Sequence, residues 1–109
     1  SVIFLARDTE KPELIFGDPM IVGMASLHFI QTLAGLTGQL EEVVVDDKYR
    51  RRGVATMLYQ AMFELARKRK VVEVYWTSQA RRTEANAFYE KMGIEKYPTN
   101  VYRAKLNSA

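Results

Sequence analysis

One stretch, residues 40–76, limits the possible folds more than any other. A β-branched run, Val43-Val44-Val45, enters the charged turn Asp46-Asp47-Lys48-Tyr49-Arg50-Arg51-Arg52 and then Gly53-Val54-Ala55. Val54, Leu58, Ala61, Met62 and Leu65 recur at helical spacing, which predicts a helix over residues 54–69. A short β-prone run follows at residues 71–76. Strand, helix, strand in that order is the pattern of a right-handed parallel βαβ unit. The corner before the helix suits an anion. A helix N-terminus presents unpaired N–H groups and a partial positive charge, so phosphate oxygens fit there without a dedicated side chain. Gly53 and Ala55 keep side-chain bulk low. Arg50, Arg51 and Arg52 add positive charge around the same point.

The remaining segments supply more strands and one more helix. Residues 2–6 and 21–30 read as strands, and Gly17-Asp18-Pro19 is a turn signal that makes them a hairpin. Gly23 marks a bulge or a close approach within the second strand. Gly35 and Gly38 mark a loop, and residues 40–45 form the third strand. The second helix carries Ala85, Phe88, Tyr89 and Met92 on one face and ends at Gly93. Residues 98–100 form a turn, and residues 101–106 alternate as a last strand. The expected class is α/β, an α+β mixed sheet with antiparallel strands first and the βαβ unit after them.

Bulk properties narrow the function. A chain of 109 residues makes one domain with a real core. No apolar run approaches the roughly 20 residues of a membrane span, and no leader is read at the start. The absence of cysteine rules out disulfides, thiolate catalysis and cysteine metal sites. His28 is the only histidine, so no metal site or histidine triad is expected, and a structural role suits it better. A net charge of +3 fits a small polyanionic ligand or weak nucleic-acid contact. Arg67-Lys68-Arg69-Lys70 is read as a basic helix end rather than a nucleic-acid patch. Helix-turn-helix, zinc and ribonucleoprotein patterns are missing, so nucleic acid is disfavoured as a partner. A Walker-type nucleotide site is disfavoured as well, since no Gly-Lys-Ser/Thr follows the glycine.

With these elements placed, the chain resembles a GNAT-superfamily N-acetyltransferase. Arg50, Gly53 and Ala55 match the family's signature of Arg or Gln, two residues, Gly, one residue, Gly or Ala. Thr77-Ser78, Arg82, Ala85-Asn86, Phe88-Tyr89, Lys91 and Gly93 are similar to the later helix of a bacterial subgroup, and Thr99-Asn100-Val101-Tyr102-Arg103 is similar to its ending. The strand at residues 40–45 is similar to that of glucosamine-phosphate N-acetyltransferases, as a kinship of motif. The likeness covers roughly residues 20–104. The family departs from this chain in placing a strand and one or two helices ahead of residues 2–6. The expectation is therefore one GNAT-like domain over residues 1–109, truncated at the N-terminus.

The resemblance implies acetyl-CoA as co-substrate, no metal, and a primary amine that attacks the thioester directly. In the family the two central parallel strands splay apart, and the second helix and a C-terminal strand complete the fold. Val43, Val44 and Val45 would then pair with the pantetheine arm as an added strand does, with an amide N–H near Val44 or Val45 meeting the thioester oxygen. Arg50, Arg51, Arg52, Gly53, Val54 and Ala55 would hold the pyrophosphate. Arg81 and Arg82 either contact the adenosine 3′-phosphate or cap their loop. Asn86 would lie near the thiol, and Trp76 either lines the pocket or packs in the core. Tyr89 is the candidate acid for the departing thiolate; a phenol with a pKa of about 10 can protonate a thiolate of about 8.5 once positioned. Its place beside Phe88 and Met92 equally suits packing. Glu41 and Glu42 are candidate bases for an ammonium of about 10.4. Strand alternation sends their side chains to opposite faces, and each also reads as a solvated charge. An alternative reading is a non-catalytic acyl-CoA-binding or regulatory module. A cytoplasmic location is expected, and a sheet lacking its usual first elements predicts a homodimer through the uncovered face or the last strand.

Overall fold

The computed structural model describes residues 1–8 and 20–107, which fall into two compact units, residues 1–76 and residues 77–109. In the first unit, β1 (Val2–Asp8) pairs antiparallel with β2 (Met20–Thr32), Phe4 opposite Ala25 and Leu5 opposite Met24. The expected antiparallel pair is present; its turn signal, Gly17-Asp18-Pro19, lies outside the described residues. β2 pairs antiparallel with β3 (Gly35–Val45), and β3 pairs parallel with β4 (Glu73–Tyr75), giving a sheet in the order β1-β2-β3-β4. The chain crosses from β3 to β4 through α1 (Val54–Lys68), as the βαβ reading expects.

The strands differ in extent from the sequence reading: β1 and β2 run one to two residues further than residues 2–6 and 21–30. β3 starts at Gly35, so Gly35 and Gly38 belong to the strand and the turn is at Leu33 and Ala34. Gly38 is buried against Leu27 and Val74, and that packing overrides the turn preference of glycine. β4 is shorter than residues 71–76. Residues 94–107 carry no helix or strand, so the expected strand at residues 101–106 is absent. Val101, Tyr102 and Leu106 are all exposed there, and alternation alone does not make a strand. The turn nearby survives as a tight bond from Thr99 N–H to Tyr97 C=O, 2.9 Å.

One face of the sheet carries the core. Ala6, Val22, Ala25, Leu27 and Leu40 are buried there, and α1 packs across β1, β2 and β3. The helix buries Leu58, Tyr59, Met62 and Ala66, a stripe rotated slightly from the expected one, so Ala61 is exposed. Tyr59 sets that rotation: its ring meets Phe63 at 6.0 Å and Trp76 at 5.6 Å. Trp76 thus packs with core aromatics. Leu27 and Met62 are fully enclosed, each worth about 1.5–3 kcal/mol of burial. Gly23 is a site of close approach to α1, while the irregularity in the β1–β2 pairing falls between Ala6 and Arg7.

The second unit holds α2 (Thr83–Lys91). Ala85, Asn86, Phe88, Tyr89 and Met92 are half-buried, in keeping with the expected apolar face. Gly93 adopts φ +80° past the helix end, its N–H bonding Glu90 C=O and that of Ile94 bonding Tyr89 C=O, both at 3.0 Å. Those two bonds are the glycine-terminated cap the sequence calls for.

Candidate active site

β3 outruns its partner. β4 pairs with it only at Thr37, Gly38 and Gln39, whereas β2 follows it to Val45. Along residues 40–45 the edge of β3 away from β2 therefore has no strand against it within the described part of this unit. Asp46 N–H donates to Val22 C=O across β2 at 2.8 Å. Alternation turns the main chain of Val44 the same way and points the N–H and C=O groups of Val43 and Val45 to the open edge. Val44 instead presents its side chain on the sheet face, 54% exposed.

A bulge interrupts β3 at the two glutamates. Ser26 faces Glu42 and Leu27 faces Leu40, which leaves Glu41 as the extra residue. The inward positions change phase there: Gly38 and Leu40 are buried before it, and Val43 and Val45 are the less exposed positions after it. Glu41 and Glu42 are consecutive and both exposed. Simple alternation placed them on opposite faces; the extra residue cancels that alternation.

The turn after β3 is tightly built. Asp46 accepts Lys48 N–H at 2.9 Å and opens a 3-10 turn over Asp47–Tyr49. Arg51 has φ +63° and Gly53 φ +80°, with Arg52 between them outside the left-handed region. Such alternation of hand gathers successive N–H groups on one concave side. Gly53 caps α1 without any side-chain bond, and no acidic residue lies in the first turn of the helix. No acidic side chain of that first turn therefore offsets the positive end of α1. A Cβ on Gly53 would meet nothing within 4 Å, so the cradle is open. Open space, N–H donors and positive charge together fit a pyrophosphate at Gly53, Val54 and Ala55.

The three arginines take separate places. Arg50 pairs with Asp47 at 2.9 Å on the surface. Arg52 lies over the Tyr49 ring, its guanidinium 5.0 Å from the centroid. Met20, Lys48, Tyr49 and Arg52 line an open depression of about 320 Å³. Tyr49 is only 6% exposed, and its hydroxyl donates to Asp8 Oδ2 at 2.7 Å. That bond, and then burial, push the Tyr49 phenol above its ordinary pKa. The sequence reading treats Tyr49 as one letter of a turn motif and assigns Asp8 nothing. An aromatic residue amid six charged ones was the available signal for Tyr49. Asp8 lies 41 residues away, and no local pattern reaches it.

In the second unit, Asn86 Nδ2 donates to Gln79 C=O at 3.2 Å, and Arg81 Nε donates to Gln79 Oε1 at 2.5 Å. Arg82 stands at the N-cap of α2 with no side-chain cap bond. Tyr89 lies beside Phe88, ring centroids 5.9 Å apart. His28 is half-buried in β2 and hydrogen-bonds Ser1 Oγ. Among the described residues no helix is long and apolar enough to cross a membrane.

Comparison with known proteins agrees with this geometry. The model of the acetyltransferase (GNAT) family matches residues 2–94. N-alpha-acetyltransferase 30 of Schizosaccharomyces pombe is 31% identical over 72 residues, covering 66% of this chain and 47% of the relative. The chain thus spans about half the length of that curated relative. A Trypanosoma brucei acetyltransferase superposes with a TM-score of 0.72 at 27% identity, over 94% of this chain and 69% of that one. An aminoglycoside N-acetyltransferase determined in complex with CoA shares the fold at TM-score 0.70 and 18% identity, over 80% and 60% of the two chains. A mixed sheet with an open edge on β3, running into a helix start that no side chain caps, is the architecture of acyl-CoA N-acyltransferases. This chain belongs to the GNAT acetyltransferase family.

Proposed function

We propose that this protein is an N-acetyltransferase that binds acetyl-CoA along β3 and the start of α1 and transfers its acetyl group to a primary amine by direct attack. One observation carries the reading: β3 runs past the end of its pairing with β4, and the chain then turns into a helix start that no side chain caps. An amide-bearing arm can bond an open strand edge as an added strand does, and its phosphates can occupy the helix start. The related acetyltransferase determined with CoA supports the choice of ligand.

Acetyl-CoA supplies the activated carbonyl. On this reading the open-edge main-chain groups of Val43 and Val45 hold the extended pantetheine arm, and one of these N–H groups serves the thioester oxygen. Val44 contributes its exposed side chain to the flank. Gly53, Val54 and Ala55 N–H groups hold the pyrophosphate, aided by the charges of Arg50, Arg51 and Arg52. Glu41 or Glu42, directly or through water, takes the proton of the substrate ammonium. As the nitrogen–carbon bond forms and the carbon–sulfur bond breaks, the Tyr89 hydroxyl gives its proton to the thiolate, and the second proton of the attacking nitrogen returns through solvent to the Tyr89 phenolate. Asn86 contacts the coenzyme near the thiol. The family model runs through both units, so residues 1–109 are taken as one acetyltransferase domain.

A homodimer and a cytoplasmic location belong to the same proposal. Leu5 and Met24 stand side by side on β1 and β2 and are 44% and 36% exposed, an apolar pair that a second copy would cover. Light scattering at about 50 µM reads the mass, and a monomer removes the dimer from the proposal. Isothermal titration with acetyl-CoA tests the donor site, and no heat at millimolar ligand overturns it. Binding without turnover on an amine panel would leave an acyl-CoA-binding module.

A further inference from the structure

The turn that carries the donor corner is bonded mostly to itself. Asp46 binds Lys48 N–H, Tyr49 N–H bonds Asp46 C=O at 2.8 Å, and Arg50 pairs with Asp47. These contacts shape the turn, but none of them fixes its far end to the sheet. Tyr49 does. It is the one buried residue of the 3-10 turn, and its hydroxyl reaches Asp8 at the end of β1. Arg52 lies on the Tyr49 ring and directly precedes Gly53. A single side chain thus joins β1, the turn and the arginine nearest the helix start.

We infer that Tyr49 is a positioning residue for donor binding. Its hydroxyl, latched to Asp8, fixes the corner, and its ring fixes Arg52, so that the N–H groups of residues 53–55 and one guanidinium are arranged before the ligand arrives. Preorganisation of this kind raises affinity by removing an ordering cost from the binding step. The inference rests on the donor-site reading above.

Two measurements separate the latch from that reading. Hydrogen exchange in the free protein follows the amides of residues 50–55. Tyr49→Phe speeds their exchange if the latch holds the corner, whatever the protein binds; unchanged exchange overturns the inference. Titration with acetyl-CoA then reads the consequence. Tyr49→Phe and Asp8→Ala each weaken binding roughly three- to tenfold, and the double variant is no weaker than the worse single one. Asp8→Asn, which keeps an acceptor oxygen, stays near the wild type. In turnover the KM for acetyl-CoA rises by more than kcat falls. Additive losses, or wild-type affinity in Tyr49→Phe, overturn the latch. Failure of the wild type itself to bind overturns the donor site and leaves the exchange result to decide the latch. Should Asp8→Ala not fold, Tyr49→Phe and Asp8→Asn carry the comparison.

Discussion

Gly23 lies directly beneath Val54, the first residue of α1: a methyl group on the glycine would stand 2.9 Å from Val54 Cγ1 and 3.3 Å from both Leu58 Cδ1 and the Val44 carbonyl oxygen. The helix start is seated on β2 at a point where only hydrogen fits. Val54 is β-branched and has little rotamer freedom with which to yield. Gly23→Ala is expected to cost about 1–3 kcal/mol through overpacking. Urea denaturation measures this as a lower midpoint at constant slope. An unchanged midpoint would mean that the helix start moves freely.

Gly53 tests the opposite situation. Nothing surrounds it, so Gly53→Ala carries only the penalty of φ +80° on a residue with a Cβ, about 1–2 kcal/mol. The same methyl would enter the cradle proposed for the pyrophosphate. Acetyl-CoA affinity should fall along with stability, whereas in a variant destabilised elsewhere in the core it should hold. Equal affinities in the wild type and Gly53→Ala would count against the cradle.

Lys70 has φ +59° just past the end of α1, where its N–H bonds Arg67 C=O and that of Val71 bonds Ala66 C=O. The cap is complete but built on a residue that strains in it. Lys70→Gly should raise stability by about 0.5–1 kcal/mol, the left-handed penalty less the extra freedom of glycine in the unfolded chain. A thermal scan giving a lower Tm would show that the lysine side chain matters more than its backbone.

Tyr49 gives a pH dependence of definite sign. Its hydrogen bond to Asp8, its burial and the carboxylates of Asp8 and Asp46 raise its pKa above 10, against an opposing effect of Arg52. Folding therefore favours the neutral phenol. The resulting stability is fully present below about pH 10 and is lost as pH rises through the raised folded value. The gap between wild type and Tyr49→Phe in urea midpoint should hold below about pH 10 and narrow as pH rises above it. A gap that stays constant would exclude the ionisation as its source.

Tyr89→Phe probes the proposed acid. General acid catalysis contributes about 10²–10⁴-fold, so kcat should drop by at least roughly 100-fold with a smaller change in acetyl-CoA affinity. Loss of affinity without loss of kcat would assign Tyr89 to packing beside Phe88.

The legible parts of this fold are those whose signal is local. Val54, Leu58 and Met62 announce α1, and Gly93 announces the end of α2. The parts that were not legible depend on partners distant in the chain. Gly38 looks like a loop residue until Leu27 and Val74 are seen to fill the space beside it. Residues 101–106 alternate like a strand, yet alternation supplies no neighbour. The bulge at Glu41 arises from the pairing of β2 with β3, so the relation between the two glutamates could not be read from their spacing. At the site, the Gly53 corner was written in sequence because turn and helix start are local, while the Tyr49–Asp8 bond was not.

The open edge of β3 also bears on how such a protein diverges. Val43 and Val45 offer that edge main-chain groups, which every amino acid except proline supplies in full. Substitutions of their side chains would leave the proposed grip on an extended donor arm largely unaltered, so long as the strand keeps its course. Selection could then rework the surrounding surface for new amines while the donor remained the same. A proline at either position is the exception: it would silence one amide and fix one torsion in the segment where the two halves of the reaction are expected to meet.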